Sequence, residues 1–160
     1  MKYLMNKLKI LAFSDYRVQN IELLIEFLQK MRTKPDLILY GGDDVDRFVE
    51  YKKELKTGKR EIIRNYFEEI ATYSKSGLCA VIGNDDLPNN RCIIGKNVNN
   101  IQESIFILKN YVIVGIEGYV KNTLQKGIGY HRFNENTLKK YLDTIKEKYK
   151  DKKLIIVSHS

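Results

Sequence analysis

The chain has 160 residues, of which 43% are apolar and 11% aromatic, and its formal net charge is +8. This length predicts a single domain, residues 1–160, with a core of its own, and the composition excludes a disordered chain. No apolar run reaches the ~18–20 residues that a membrane helix needs, and residues 1–9 are too polar for a signal peptide. We therefore expect a cytoplasmic protein with no membrane partner.

The positive charge admits an anionic partner, such as nucleic acid or a phosphorylated substrate. Most of the lysines, however, fall in two clusters, at 52–60 and 139–153, on solvated faces of predicted helices. Nucleic-acid binding is therefore the weaker interpretation. Cys79 and Cys92 lack the spacing of a zinc-binding pair, and Cys79 lies in an apolar run that predicts a place in the core.

Short apolar runs alternate with helical periodicity along the chain. In order, the patterns predict a strand at 7–13, a helix at 18–32, a strand at 37–40, a short helix within 44–55, a helix at 59–74, a strand at 78–82, a loop at 83–104, strands at 105–108 and 111–115 joined by a tight turn, a loop at 116–133, a helix at 135–149 and a strand at 154–157. This order is typical of an α/β fold with a mostly parallel, helix-covered sheet. We expect 7–13, 37–40, 78–82 and 154–157 to be its parallel strands and 105–115 to form a hairpin in a second layer.

Polar residues follow each of the predicted parallel strands: Asp15, then Asp43, then Asn84 with Asp85, and finally His159. Ligands of open α/β sheets bind at the carboxyl ends of the strands, so these side chains are expected at one edge. Carboxylate and amide oxygens with one imidazole suit a divalent cation. Asp, Asn and Gly are also ordinary turn residues, but polar residues at four successive strand ends favour a shared site.

The ordered runs KILAFSDYR, LILYGGDDVDR, AVIGNDD and LIIVSHS resemble the motifs of calcineurin-like metallophosphoesterases. The run GDDVD at 42–46 matches that family's Gly-Asp-x-x-Asp motif, and IFILKNYVIVGIEG resembles the β segment that precedes its fourth motif. The resemblance covers nearly the whole chain. It implies an αββα sandwich of two mixed sheets, here lacking the last strands.

The resemblance also implies a metal centre. Asp43 would bridge two ions, Asp15 would bind the first, and Asn84 and His159 would bind the second. In such sites the ions lie ~3.5–4 Å apart and activate water against a phosphate ester. The implied function is hydrolysis of a phosphate mono- or diester in a small-molecule or nucleotide substrate. Mn²⁺ is the expected cation, with one ion per chain, or two if a C-terminal segment completes the site.

Two family histidines are replaced, and these positions are the expected catalytic residues. Arg17 replaces the histidine of the family's first motif. Because a guanidinium offers no lone pair to a metal, we expect Arg17 to pair with Asp15 or Asp43 or to hold a phosphate bidentately. Asp85 replaces the histidine of the family's third motif, and we expect it to act as a general base or as an additional metal ligand. Asp44 and Asp86 are expected to be solvated.

The family's last motif, Gly-His-x-His, does not occur, because the sequence stops at Ser160. This favours a C-terminally truncated domain with very low activity. If the chain is instead a natural short form, a second copy could cover the exposed sheet edge, so the sequence also allows a homo-oligomer. The alternative function is a catalytically inactive binding scaffold with the same fold. The replacements at Arg17 and Asp85 favour the scaffold, and the intact GDDVD and GN runs favour the enzyme.

Overall fold

The computed structural model describes residues 7–15, 21–52, 61–83, 86, 93, 95–102, 104–116, 119–120, 132–133 and 135–159. The elements in chain order are β1 (Ile10–Phe13), α1 (Ile21–Lys30), β2 (Leu37–Tyr40), α2 (Val45–Phe48), β3 (Val49–Lys52), β4 (Glu61–Asn65), α3 (Tyr66–Ala71), β5 (Leu78–Ala80), β6 (Val98–Asn100), β7 (Ile105–Leu108), β8 (Tyr111–Ile116), β9 (Tyr119–Val120), β10 (Arg132–Phe133), α4 (Glu135–Lys148) and β11 (Lys153–Ser158). None of these described helices combines the length and the apolar character needed to cross a membrane.

The first sheet is parallel and, within the described residues, has the strand order β1-β2-β5-β6. Its register pairs Ile10 with Leu37, Ile38 with Leu78, and Leu78 with Val98. Every residue of β2 is buried. A strand covered on both faces needs a continuous apolar run, which is why the sequence LILY predicts it well.

The second sheet has the order β11-β8-β7. The strands β7 and β8 are antiparallel, and Lys109 and Asn110 form the turn between them, so the predicted hairpin is confirmed. On its other side β8 pairs in parallel with β11, from Lys153 opposite Tyr111 to Ser158 opposite Ile116.

Alternate residues of each sheet pack into different layers of the core. One face of the first sheet packs against α1 and α3, through residues such as Ile38 and Ala80. Its other face, including Leu39, packs against Ile113 of the second sheet. The outer face of the second sheet packs against α4, where Val112 contacts the cluster around Ile145. The described residues therefore form a mixed α/β fold in layers of helix, sheet, sheet and helix.

The two sheets meet closely at one edge. Beyond β6, Gln102 forms a parallel bridge with Gly115 of β8, and the Gly115 amide donates to the Ile101 carbonyl at 3.1 Å. A Cβ on Gly115 would overlap that carbonyl oxygen. Glycine is needed here because the backbones of the two layers are in direct contact.

The predicted strand at 154–157 exists, but its expected place in the first sheet is wrong. It pairs with β8 in the second sheet. The apolar pattern of LIIV predicts a buried strand, yet it contains nothing that selects between two sheets that bury similar faces.

Three other segments differ from their predicted secondary structure. Residues 61–65, predicted to begin a helix, form β4 and pair antiparallel with β3, whose residues 49–52 lie in the segment predicted to hold a short helix. The β-branched side chains of Ile62 and Ile63 favour this extended conformation. Residues 98–100, within a predicted loop, form β6, and the predicted loop at 116–133 contains the short parallel pair of β9 and β10. These strands are short, and each is stabilised by pairing with another strand.

Candidate metal centre

The ends of β1 and β2 hold two aspartates side by side. The Gly41 amide donates to the Phe13 carbonyl at 2.9 Å, and the Asp15 amide donates to the Gly42 carbonyl at 3.0 Å. These bonds extend the pairing of the two strands past their regular ends. Asp15 and Asp43 therefore leave the sheet at the same edge.

The second sheet brings His159 to this edge, directly after β11. Its Nδ1 lies 3.1 Å from the Gly41 carbonyl oxygen. A carbonyl oxygen only accepts, so this hydrogen bond places the proton on Nδ1. The opposite nitrogen, Nε2, lies 3.4 Å from Oδ2 of Asp43. The backbone contact thus directs the free ring nitrogen towards the carboxylate, which is how protein histidines are commonly oriented for a metal.

Asp15, Asp43 and His159 each offer one ligand atom, and these atoms lie within 4.8 Å of one another. Asp43 and His159 are 2% and 6% exposed, whereas Asp15 is exposed to solvent. Two carboxylates and an imidazole fit a borderline divalent cation such as Mn²⁺ or Zn²⁺. The same geometry also permits an ion pair between Asp43 and His159 when the imidazole is protonated.

The backbone around the two aspartates is in an uncommon conformation. Asp15, Asp43 and Asp44 have φ angles of 50°, 64° and 65°, in the left-handed region. Asp tolerates this region better than most residues, yet it remains costly, and such residues concentrate at functional sites. Gly42, at φ 96°, has no room for a side chain, because a Cβ would overlap the backbone nitrogen of Gly83.

Aromatic rings pack against one another at the ends of β1 and β2. The rings of Phe13, Tyr40, Phe48 and Phe67 pack with centroid distances of 4.9 to 6.2 Å. Phe13 and Tyr40 are the last residues of β1 and β2. The last residues of both strands are therefore part of one close-packed aromatic cluster.

The Tyr40 hydroxyl lies beneath the acidic residues. It is buried and has no hydrogen-bond partner among the residues that the structure describes. Burial raises the pKa of Tyr40, and the negative charges of the surrounding aspartates, chiefly Asp86 and Asp44, raise it further. The phenol therefore stays neutral in an environment that favours positive charge.

Asp86 is buried, with 4% of its surface exposed, so the expectation that it is solvated is wrong. Its carboxylate accepts from the amides of Asp43, Val45 and Gly83 at 2.8, 2.8 and 2.7 Å. Burial raises the pKa of Asp86, while these hydrogen bonds and the nearby His159 oppose that rise. Sequence reasoning missed this residue because Asp is an ordinary turn residue, and the amides of Asp43 and Val45 that bind Asp86 are distant in the chain.

Asp44 is also less solvated than expected. Its side chain is 22% exposed, and its Oδ1 lies 3.5 Å from Nε of Arg47. Its other oxygen is buried, with no hydrogen-bond partner in the described part of the chain.

The other expected site residues, Arg17, Asn84 and Asp85, lie outside the described residues. Their roles as phosphate holder, metal ligand and base stay predictions. Of the expected set, the structure brings together Asp15, Asp43 and His159. Neither a family model, nor a curated protein, nor a solved structure matches this chain.

Proposed function

We propose that this chain is a divergent, metal-dependent phosphoesterase of the calcineurin-like kind that hydrolyses a phosphate mono- or diester. The observation that supports the proposal is the convergence of Asp15, Asp43 and His159 within 4.8 Å. These side chains follow strands of two different sheets. The succession of helix, sheet, sheet and helix layers agrees with the αββα sandwich that the motif resemblance implies.

The donor chemistry fits a divalent cation. Asp43 and Asp15 supply hard carboxylate oxygens, and the hydrogen bond from Nδ1 to Gly41 leaves the Nε2 lone pair of His159 available. When bound, such an ion would acidify water and neutralise charge on the phosphoryl oxygens.

The exposure of each side chain indicates its expected role in the site. Asp43 and His159 are buried, so they would hold the cation away from competing water. Asp15 is exposed and would form the side of the site that an ester reaches from solvent. Arg17, two positions further along, would hold the phosphate through its guanidinium.

The contact between His159 and Asp43 also supports the alternative, a catalytically inactive scaffold. At 3.4 Å, a protonated His159 forms a buried ion pair with Asp43. That pair would join the two sheets at this edge without any ion. A scaffold of this kind would keep the fold of the family while binding a partner.

The deciding experiment is a calorimetric titration with Mn²⁺ combined with assays on nitrophenyl phosphate mono- and diesters. We expect one Mn²⁺ per chain and very slow hydrolysis, both abolished by Asp43→Asn. The matched control is Asp36→Asn, because Asp36 and Asp43 are both buried aspartates and flank the opposite ends of β2. Absence of Mn²⁺ binding would contradict the metal centre. Binding without hydrolysis of either ester would favour the scaffold.

A further inference from the structure

The Asp86 carboxylate joins two loops that leave the first sheet at the candidate metal centre. Its Oδ2 accepts from the amides of both Asp43 and Gly83, and its Oδ1 accepts from Val45. Asp43 belongs to the loop after β2, Val45 is the first residue of the helix α2 that follows this loop, and Gly83 belongs to the segment after β5. A single buried side chain therefore satisfies backbone donors on both segments.

The donors on the β2 side flank the left-handed residues Asp43 and Asp44. Such a backbone conformation is unfavourable for residues other than glycine, and it persists only where surrounding interactions hold it. A buried amide without an acceptor is also costly. The Asp86 carboxylate accepts from the amide of Asp43, the first residue of this pair, and from the amide of Val45, which follows Asp44.

The two segments also touch directly. A Cβ on Gly83 would overlap Oδ1 of Asp43, so the Gly83 backbone lies against the carboxylate that faces His159. Because Oδ2 of Asp86 binds the Gly83 and Asp43 amides together, it sets the distance between them.

We propose that Asp86 is a positioning residue that holds the loop after β2 in the conformation that presents the Asp43 carboxylate to His159 and Asp15. The role of that carboxylate as a metal ligand rests on the proposed function, whereas the holding of the loop does not. Asp86 acts through the backbone of a ligand residue. We therefore expect the loop to keep this conformation without a bound ion.

The protein contains a matched residue that separates positioning from general stability. Asp36 is also a buried aspartate, and it accepts from the Lys9 amide and from Nζ of Lys75, both at 2.9 Å. It precedes β2, at the opposite end of the strand from Asp43. Replacing Asp36 disturbs a comparable hydrogen-bonded carboxylate without touching the loops of the centre.

The test compares Asp86→Asn with Asp36→Asn in the full chain. Asparagine keeps one acceptor oxygen, but its NH₂ group cannot accept, so at least one of the three amides loses its partner. In metal-free protein we expect faster hydrogen exchange at the amides of Asp43, Val45 and Gly83 in Asp86→Asn, with no change there in Asp36→Asn. We expect Mn²⁺ affinity to fall about 10- to 100-fold in Asp86→Asn and to stay within about twofold in Asp36→Asn.

Equal effects of the two variants on exchange and affinity would overturn the proposal and leave Asp86 a purely structural residue. If the unsubstituted chain binds no Mn²⁺ but Asp86→Asn still exposes the three amides, the holding role stands and the proposed function fails. If Asp86→Asn does not fold, NMR can be used on the unsubstituted protein instead. It measures scalar couplings across the hydrogen bonds between these three amide nitrogens and the Asp86 carboxylate carbon. Their presence supports the proposal, and their absence overturns it.

Discussion

Two buried aspartates, Asp36 and Asp86, show how differently the same residue behaves at the two ends of the sheet. Both accept hydrogen bonds from backbone amides. Asp36 also pairs with Lys75, and its pKa is lowered to about 2, chiefly by the Lys9 amide and then by Lys75. The pKa of Asp86 is raised instead, because desolvation outweighs its hydrogen bonds. The balance between desolvation and hydrogen bonding therefore sets the direction of the pKa shift at each of the two carboxylates.

The lowered pKa of Asp36 predicts a specific pH dependence of stability. A carboxyl group with a folded pKa of about 2, against its ordinary value of 3.8, stabilises the fold above the ordinary value and loses that contribution as the pH falls through about 2. We expect the stability advantage of the unsubstituted protein over Asp36→Asn to shrink between about pH 4 and pH 2. Urea unfolding of both proteins at several pH values measures this difference. An advantage that stays constant across the window would show that Asp36 titrates alike in the folded and unfolded states.

At the scale of elements, the transition from β4 to α3 shows why the helix pattern over 59–74 was misleading. The pattern continues through Ile62, Ile63 and Tyr66, but the extended conformation lasts until Asn65. There the Asn65 side chain accepts from the Glu68 amide at 3.3 Å, which caps the first turn of α3. Periodicity detected the helix, and the capping residue determined where it begins.

Asn65→Ala should destabilise the protein, because it removes the acceptor that satisfies a free amide of the first helical turn. The expected loss is about 1 kcal/mol of unfolding free energy. Asn65→Asp keeps the acceptor and adds a charge that is favourable at a helix N-terminus, so it should retain most of the stability. Chemical denaturation of the three proteins makes the comparison, and equal losses in the two variants would assign the effect to side-chain packing instead of capping.

At the scale of the whole molecule, the contact between the two sheets is the central feature. Leu39 and Cys79 from the first sheet pack with Ile113 and Val157 from the second. The burial of Cys79 agrees with its expected place in the core, and that burial raises the pKa of its thiol to about 12. Because Asp43 and His159 follow strands on opposite sides of this contact, the packing between the sheets sets the geometry of the candidate metal centre.

Ile113→Ala should therefore be among the costly substitutions, since it leaves a cavity between the sheets. We expect a loss of about 2–5 kcal/mol for Ile113→Ala, and about 0.5–1.5 kcal/mol for Ile113→Val. The control is Ile107→Ala on the neighbouring strand β7, where the side chain is 48% exposed; its effect should stay near ~0.5 kcal/mol. Urea denaturation measures all three, and similar losses at positions 107 and 113 would contradict the buried contact between the sheets.

Much of the fold could be predicted from local patterns. The run LILY is apolar throughout because β2 is buried on both faces, and the helical spacing over 135–149 marks α4. The β6 strand was not predicted because its sequence, VNN, is short and mostly polar. It is stabilised by pairing with β5, a contact that no local pattern contains.

By itself, the sequence determined the apolar strands such as β2, the amphipathic helices α1 and α4, and the polar residues that follow the strands, because apolar periodicity and turn chemistry are local properties. Only the tertiary structure decided that β11 joins the second sheet, that His159 approaches Asp43 from that sheet, and that Asp86 is buried beneath their loops. Each of these depends on which surfaces pack together. Packing partners distant in sequence are selected by shape and by burial, and a single sequence does not display either.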